Sequence, residues 1–308
     1  MDKLIAIIQT ALPVFLALAL GMLCRQKNFL SREGVDALKK VVINITLPAV
    51  LLNAFATAEY TVSTIAIPVM VFILCCAALA LGFVLVKLFR VRSKLAPFVA
   101  TGFEAGMLGY ALFVLLFPHE SSAKFAILDL GQTLFVFTLF KILLSGKTDL
   151  KAIGRDMATT PILWAVLFGV VLGATGLYKS LGTWGVGGIL DSVTSFVSAP
   201  TGMIILLTVG YDLVLKEIPW KKTAGLIALR LGVMAVILAL MILINRTLLG
   251  GVMFEGAAVL MCILPPPYVI PVFADEPGER VQIASALSAL TLITIVLFAA
   301  YSVILSLA

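Results

Sequence analysis

Charged residues are scarce in this sequence. They occupy 12% of the 308 positions, whereas apolar residues occupy 62%. Soluble globular proteins contain about 25% charged and about 45–50% apolar residues. The composition therefore excludes a soluble globular domain and indicates an integral membrane protein, with the lipid bilayer as its main surroundings.

Motifs for catalysis and metal binding are also missing. The sequence has a single histidine and no HExxH, GxSxG or Walker-type stretch. Its four cysteines lie within or at the ends of apolar segments without metal-type spacing, and these are Cys24, Cys75, Cys76 and Cys262. We therefore expect no enzymatic activity, no cofactor and no bound metal.

Long apolar segments make up most of the chain. A membrane-spanning helix needs about 20 apolar residues. Ten segments have a suitable length, at about 4–24, 41–57, 63–89, 96–117, 124–144, 159–177, 186–213, 222–245, 254–275 and 281–306. They lack the alternation that is typical of outer-membrane strands. The sequence predicts an all-α integral membrane fold with ten transmembrane helices.

Basic residues are concentrated in alternate loops. The loops after spans one, three, five and seven hold most of the lysines and arginines, whereas the opposite loops hold only Lys3, Lys124, Lys179 and Arg246. Basic loops tend to remain in the cytoplasm. We therefore expect a multi-pass protein of the cell (inner or plasma) membrane with both termini extracytoplasmic. The net charge of +6 then needs no nucleic-acid partner.

Ten spans divide into two halves of five, and an odd number makes the second half enter the membrane from the opposite face. We predict a first five-helix repeat at 1–145, a cytoplasmic linker at 146–157 and a second, inverted repeat at 158–308. Helix-breaking residues occur in the corresponding spans four and nine, namely Gly102, Gly106 and Gly109, and Pro265, Pro266, Pro267 and Pro271. Both spans are expected to be broken near the midplane, although the glycines could instead serve close helix packing.

Several stretches resemble one known family. They are LSREGVDALKKVVINITLPAVLLNAF, TGFEAGMLGYALF, ILDLGQTLFVFTLF, SAPTGMIILLTVG and LPPPYVIPVFA, and together they extend over nearly the whole chain. In order and spacing they are similar to the auxin efflux carrier family, which includes the plant PIN auxin carriers and bacterial carboxylate permeases.

The resemblance implies a fold like that of sodium/proton antiporters and bile-acid/sodium symporters, in which helices four and nine cross. It also implies a small organic anion as substrate, such as malate, malonate or an auxin-like acid, and frequent dimers. The chain departs from the family at Glu104, near which Asn is usual, and after Gly109, where the family usually has a proline and this chain continues with Tyr110 and Ala111. These departures favour altered ion coupling.

Glu104 is the strongest candidate for a coupling site. It lies roughly 12 Å from the cytoplasmic edge of span four at 1.5 Å per residue, at a depth where ionisable groups are costly and usually functional. Buried without a partner, a carboxyl group favours its protonated form, which suits a carrier that exchanges a proton in each cycle. Three alternatives remain open: coordination of sodium, a structural hydrogen bond, or pairing with Arg230.

Other polar residues fall in the predicted spans. Asp129 and Gln132 lie three residues apart, on one face of span five beside Thr133, and would form one wall of a polar cavity. Alternatively, Asp129 lies close enough to the outer edge to be simply hydrated. Asn53 adds a donor from span two. Arg230 is expected to snorkel to the cytoplasm, unless it faces inward and binds a substrate carboxylate.

Taken together, these features predict a secondary transporter that moves a small organic anion by alternating access, coupled to protons. The alternatives are a sodium-coupled symporter of the bile-acid type and a membrane sensor that binds an anion without moving it. A homodimer is the expected assembly. The expected substrate-binding residues are Glu104, Gly106, Gly109, Tyr110, Asp129, Gln132, Asn53, Pro265, Pro266, Pro267 and Tyr268, and the expected coupling residues are Glu104 and Asp129.

Overall fold

Helices form the regular secondary structure of the computed structural model, which describes residues 2–91, 93–145, 155, 158–183, 185–213, 220–274 and 276–307. The helices of the first half are α1 (Asp2–Gln26), α2 (Arg32–Val41), α3 (Leu47–Ala56), α4 (Val62–Leu88), α5 (Ala96–Val99), α6 (Tyr110–Leu116), α7 (Ala123–Phe135) and α8 (Lys141–Ser145). Three π-helical turns precede α3, α6 and α8, at Val42–Thr46, Ala105–Gly109 and Val136–Phe140. The predicted linker at 146–157 lies outside the described residues except for residue 155.

The second half also consists of helices. Its helices are α9 (Pro161–Ala174), α10 (Leu177–Thr183), α11 (Val186–Ser198), α12 (Thr201–Asp212), α13 (Trp220–Thr247), α14 (Glu255–Ile263) and α15 (Pro277–Leu307). A short 3₁₀ turn, Ile270–Phe273, lies between α14 and α15.

Length and composition identify several of these helical stretches as membrane spans. Among the described residues, five are long and apolar enough, namely Val62–Leu88, Ala123–Leu144, Val186–Asp212, Thr223–Thr247 and Gly278–Leu307. Helices α9 and α10 give a sixth if the pair, bent by 70°, is counted as one. The structure therefore confirms an all-helical, multi-pass membrane protein, while the count of ten and the inverted repeat stay predictions.

Apolar side chains also cover much of the outer surface. On α4, Val69, Ile73 and Val84 are between 55% and 60% exposed, whereas Val71 and Leu74 on the opposite face are buried. Such an exposed apolar face is costly in water and is the normal surface of a helix in lipid.

Glycines bring pairs of helices into backbone contact. A Cβ atom at Gly21 of α1 would lie 2.0 Å from the carbonyl oxygen of Leu207, and one at Gly210 of α12 would lie 2.2 Å from that of Leu18. Gly131 of α7 is equally close to α4, because its Cβ would lie 2.1 Å from the carbonyl oxygen of Pro68. Small residues at such contacts allow the van der Waals packing that holds helices together in lipid.

The contact between α1 and α12 gives a first prediction. Gly210→Ala should destabilise the protein by about 1–3 kcal/mol, because an added methyl group must push two backbones apart. The matched control is Gly225→Ala on α13, where an added Cβ meets nothing within 4 Å. Thermal unfolding of the purified variants in detergent measures the difference, and equal midpoints for Gly210→Ala and Gly225→Ala would show that the contact is not tight.

Candidate functional site

Two non-helical stretches contact each other inside the helical bundle. The first follows α5 and includes residues 101–104, and the second follows α14 and includes residues 264–267. The N–H of Glu104 donates to the carbonyl oxygen of Pro265 at 2.9 Å. Gly102 has a φ of +68°, and a Cβ there would lie 2.9 Å from Cγ of Pro267. The first break thus contains Gly102 and the second contains Pro265, Pro266 and Pro267. Gly106 and Gly109 lie instead in the π turn that follows the first break, and Pro271 lies in the 3₁₀ turn after the second.

The Glu104 carboxylate connects the two breaks. Its Oε1 accepts a hydrogen bond from the N–H of Met107 at 3.2 Å, in the π turn that begins the next helical stretch. Its Oε2 accepts one from the N–H of Tyr268 at 2.7 Å, in the other break. A single side chain therefore accepts one backbone N–H from the π turn after the first break and one from the second break, and so satisfies donors that the loss of helix would leave open.

Gln132 holds the first break against α7. Its amide nitrogen donates to the carbonyl oxygen of Phe103 at 2.9 Å, and its amide oxygen accepts from the N–H of Phe103 at 3.4 Å. The hydroxyl of Thr101 donates to the carbonyl oxygen of Cys75 at 2.8 Å, which ties the same break to α4. The unwound backbone is therefore fixed to both helices.

Asp129 is buried, with only 4% of its surface exposed. Its carboxylate accepts hydrogen bonds from the hydroxyl of Tyr110 at 3.0 Å, the hydroxyl of Thr133 at 3.3 Å and the amide of Gln132 at 3.5 Å. The alternative in which Asp129 is simply hydrated at the membrane edge is therefore wrong. A buried carboxylate needs such donors, since its own desolvation is costly.

Arg230 is also buried, with 1% exposure, so the expectation that it snorkels to the cytoplasm is wrong. Its guanidinium donates to the carbonyl oxygens of Leu264 at 3.0 Å and Val99 at 3.5 Å, and lies over the ring of Phe103 at 5.2 Å. These two carbonyls are at the C-terminal ends of α14 and α5, where a cation is favourable. Pairing between Arg230 and Glu104 is not what the structure shows, because each bonds to backbone groups.

A cavity of about 440 Å³ opens beside the two breaks. Its polar lining consists of Glu104, Asp129, Gln132 and Thr133, with Lys141 and Thr160 also on its wall, and Gly106, Pro267 and Tyr268 contribute from the breaks. Most of the remaining lining is apolar, including Leu47, Leu51, Phe103, Met107, Val136, Phe137, Phe140 and Phe273. Among the residues that the structure describes, no three His, Cys, Asp or Glu side chains form a group that could hold a metal.

A second cavity of about 490 Å³ has hydroxyl and amide groups on an otherwise largely apolar wall. It includes Asn53, Tyr110, Ser122, Thr194 and Thr201. Asn53 donates there to Asp191 at 3.1 Å and to Thr194 at 3.2 Å. Tyr110 lines this cavity while its hydroxyl bonds Asp129, which lines the first, so this hydrogen bond lies between the two.

The predicted site residues thus separate into three sets. Glu104, Gly106, Asp129, Gln132, Pro267 and Tyr268 lie together around the first cavity, whereas Asn53 and Tyr110 line the second. Gly109, Pro265 and Pro266 line neither of these cavities, and Gly109 instead packs against Phe125 and Leu264. The individual residues of the apolar wall were not predicted, since apolar residues at helical spacing carry no sign that distinguishes a cavity from a core.

Comparisons with known proteins agree with this architecture. Residues 6–145 match the model of a family described as membrane transport protein. An uncharacterized transporter of Methanothermobacter thermautotrophicus is 26% identical over 215 residues, which cover 67% of each chain. These matches confirm the resemblance to the auxin efflux carrier family. The description of the matching family model and that of the relative support a transport function for the chain, and neither names a substrate.

The position of Arg230 gives a second prediction, which concerns how the two breaks are stabilised. Arg230→Met should lower the free energy of unfolding by about 1–3 kcal/mol for each carbonyl left without a donor. Arg246→Met is the control, because Arg246 forms an ion pair with Glu255 at the surface, and such pairs contribute about 0–1 kcal/mol. Thermal unfolding in detergent compares them, and an equal loss in both would argue against a role for Arg230 in holding the breaks.

Proposed function

We propose that this protein is a secondary transporter of a small organic anion, a mono- or dicarboxylate such as malate, malonate or an auxin-like acid. The observation that carries the proposal is the cavity at the meeting point of two chain breaks, with backbone N–H groups and a carboxylate on its wall. Broken helices at the interface of two repeats are where secondary transporters bind their substrates.

The cavity has the size and chemistry for such a ligand. Its volume of about 440 Å³ is within the range of about 300–1,000 Å³ of small-molecule sites. The apolar wall suits the hydrocarbon part of an organic acid. N–H groups and the positive end of a helix favour its carboxylate.

Alternating access is supported by the two cavities. The first is lined by residues next to the loops predicted to be cytoplasmic, such as Ile43 and Leu144. The second is lined by Ser122, in a loop predicted to be outside, and by Asn53, near the end of span two on the same side. The Tyr110–Asp129 hydrogen bond lies between them, and we propose that a rearrangement here exposes the site to each side in turn.

We propose that protons couple the transport, with Glu104 and Asp129 as the coupling groups. Sodium coupling, as in the bile-acid symporters, is the alternative within transport. The proposal places the protein in the cell membrane with both termini outside, as a homodimer.

Counterflow in proteoliposomes tests the proposal. Labelled malonate or benzoate should accumulate in vesicles loaded with the unlabelled compound, which a sensor that only binds would not cause. Uptake driven by an acidic exterior should persist when choline replaces sodium, and Glu104→Gln should lose its dependence on the pH gradient while retaining exchange. Accumulation that required sodium would favour the symporter alternative instead.

Tyr110→Phe tests the rearrangement between the cavities. The variant keeps the ring that contacts Phe125, at a centroid distance of 5.0 Å, but removes the donor to Asp129. We expect the exchange rate to change several-fold, since a bond of about 1 kcal/mol or more is lost from one of the two states. Tyr301→Phe, a tyrosine whose ring contacts Phe117 away from both cavities, is the control. Equal exchange rates in the two variants would remove the Tyr110–Asp129 bond from the transport cycle.

A further inference from the structure

The two backbone donors that face the cavity at the breaks are already occupied by the chain itself. The N–H groups of Met107 and Tyr268 converge on the two oxygens of one carboxylate, that of Glu104. A transported carboxylate that used these donors would make the same pair of hydrogen bonds. Glu104 therefore stands in the position of the substrate's own charged group.

An ordinary helix cap explains only half of this arrangement. The bond from Met107, three residues along the chain, is a cap of the following helical stretch. The bond from Tyr268 is not, because it comes from a separate break 164 residues away and is the shorter of the two, at 2.7 Å. Glu104 also lines a cavity of about 440 Å³, so another carboxylate has room to approach these donors.

We propose that Glu104 is a tethered competitor of the transported carboxylate, which takes over the N–H groups of Met107 and Tyr268 when a proton neutralises Glu104. This rests on the proposed transport of a carboxylate and specifies how a proton is coupled to it. Solvent supplies the proton to a Glu104 oxygen, the two hydrogen bonds to Glu104 break, and the same two form to the substrate.

The balance of charge explains why the two events occur together. Two ionised carboxylates that share one site repel each other, and each disfavours the charged form of the other. Ionised Glu104 and a bound anion therefore exclude each other. When one proton enters with one carboxylate, the site has the same net charge loaded and empty, so the charge cost of crossing the membrane is the same in both.

The groups around Glu104 do not offer the same exchange. Asp129, facing it from α7, has its oxygens bonded to side-chain donors rather than to the breaks. Arg230 on α13 lies over the ring of Phe103 and donates to the carbonyl oxygens of Val99 and Leu264. The other titratable groups near it are Lys141 on the cavity wall, Tyr110 at the start of α6, Tyr268 in the second break, and Asp212, which forms ion pairs with Arg32 and Lys39 beyond Tyr268.

Calorimetry on the full-length protein in detergent tests the competition. The probes are acetate, benzoate and malonate, each titrated at about pH 5.5 and at about pH 8. The variants are Glu104→Ala, which vacates the donors, and Glu104→Gln, which removes the charge and covers the case that the alanine variant does not fold. The control is Glu279→Gln, because Glu279 also accepts a backbone N–H, from Leu95, away from the first cavity.

In the wild type and in Glu279→Gln, the Kd of a carboxylate should rise by up to about tenfold per pH unit, with about one proton taken up per ligand at the higher pH. In the Glu104 variants the affinity at about pH 8 should be at least that of the wild type at about pH 5.5, with no proton uptake.

Two results would overturn the inference. If the Glu104 variants bind a carboxylate with the pH dependence of the wild type, or bind it more weakly than the wild type at both pH values, then Glu104 is not a competitor, although carboxylate transport stands. If neither the wild type nor the Glu104 variants bind any of the three probes, then the proposed substrate class fails as well.

Discussion

The hydrogen bonds of Glu104 decide whether two breaks in neighbouring helices can coexist inside a membrane. Each break frees backbone N–H and C=O groups where no water is available, and an unsatisfied group there costs several kcal/mol. The Glu104 carboxylate accepts hydrogen bonds from the N–H of Met107, in the turn after the first break, and from the N–H of Tyr268, in the second break. The backbone N–H of Glu104 donates to the carbonyl oxygen of Pro265. Without such a link the backbone groups of the two segments would need separate hydrogen-bond partners.

Charge is sorted by the polarity of the backbone around this link. The anion lies where N–H groups point, at the start of the helical stretch 105–116, and the cation Arg230 lies where C=O groups point, at the ends of α5 and α14. Both placements are favourable to the helix dipoles. Their roles differ because Glu104 lines the cavity, whereas Arg230 is buried beneath Phe103. One charge can therefore respond to a ligand while the other only holds the backbone.

The sequence predicted the features that have a local chemical cause. Glycine and proline break helices wherever they are packed, and a carboxyl group at depth is costly in any orientation, so the breaks and Glu104 could both be found. The burial of Arg230 could not be predicted, because its long side chain allows either snorkelling or burial. The residues packed around it determine which of the two occurs. Asn53 lines the second cavity and not the first, which the sequence could not indicate, since helical spacing gives the face of a helix but not its neighbour. Met107 contributes its backbone N–H as a donor to Glu104, and the identity of a side chain does not indicate such a role for the backbone.

The tight glycine contacts restrict how the site could become exposed to either side. Helices α1 and α12 touch through backbone at Gly21 and Gly210, and α4 and α7 touch at Gly131, so neither pair can slide internally without a clash. Thr101 and Gln132 fasten the first break to α4 and α7. In the proposed cycle this break therefore moves with the α4–α7 pair, and the α1–α12 pair moves relative to it as a second unit. Because Tyr110 begins α6, after the π turn that follows that break, and Asp129 belongs to α7, their hydrogen bond joins α6 to α7, which makes that contact the natural place for a change of access.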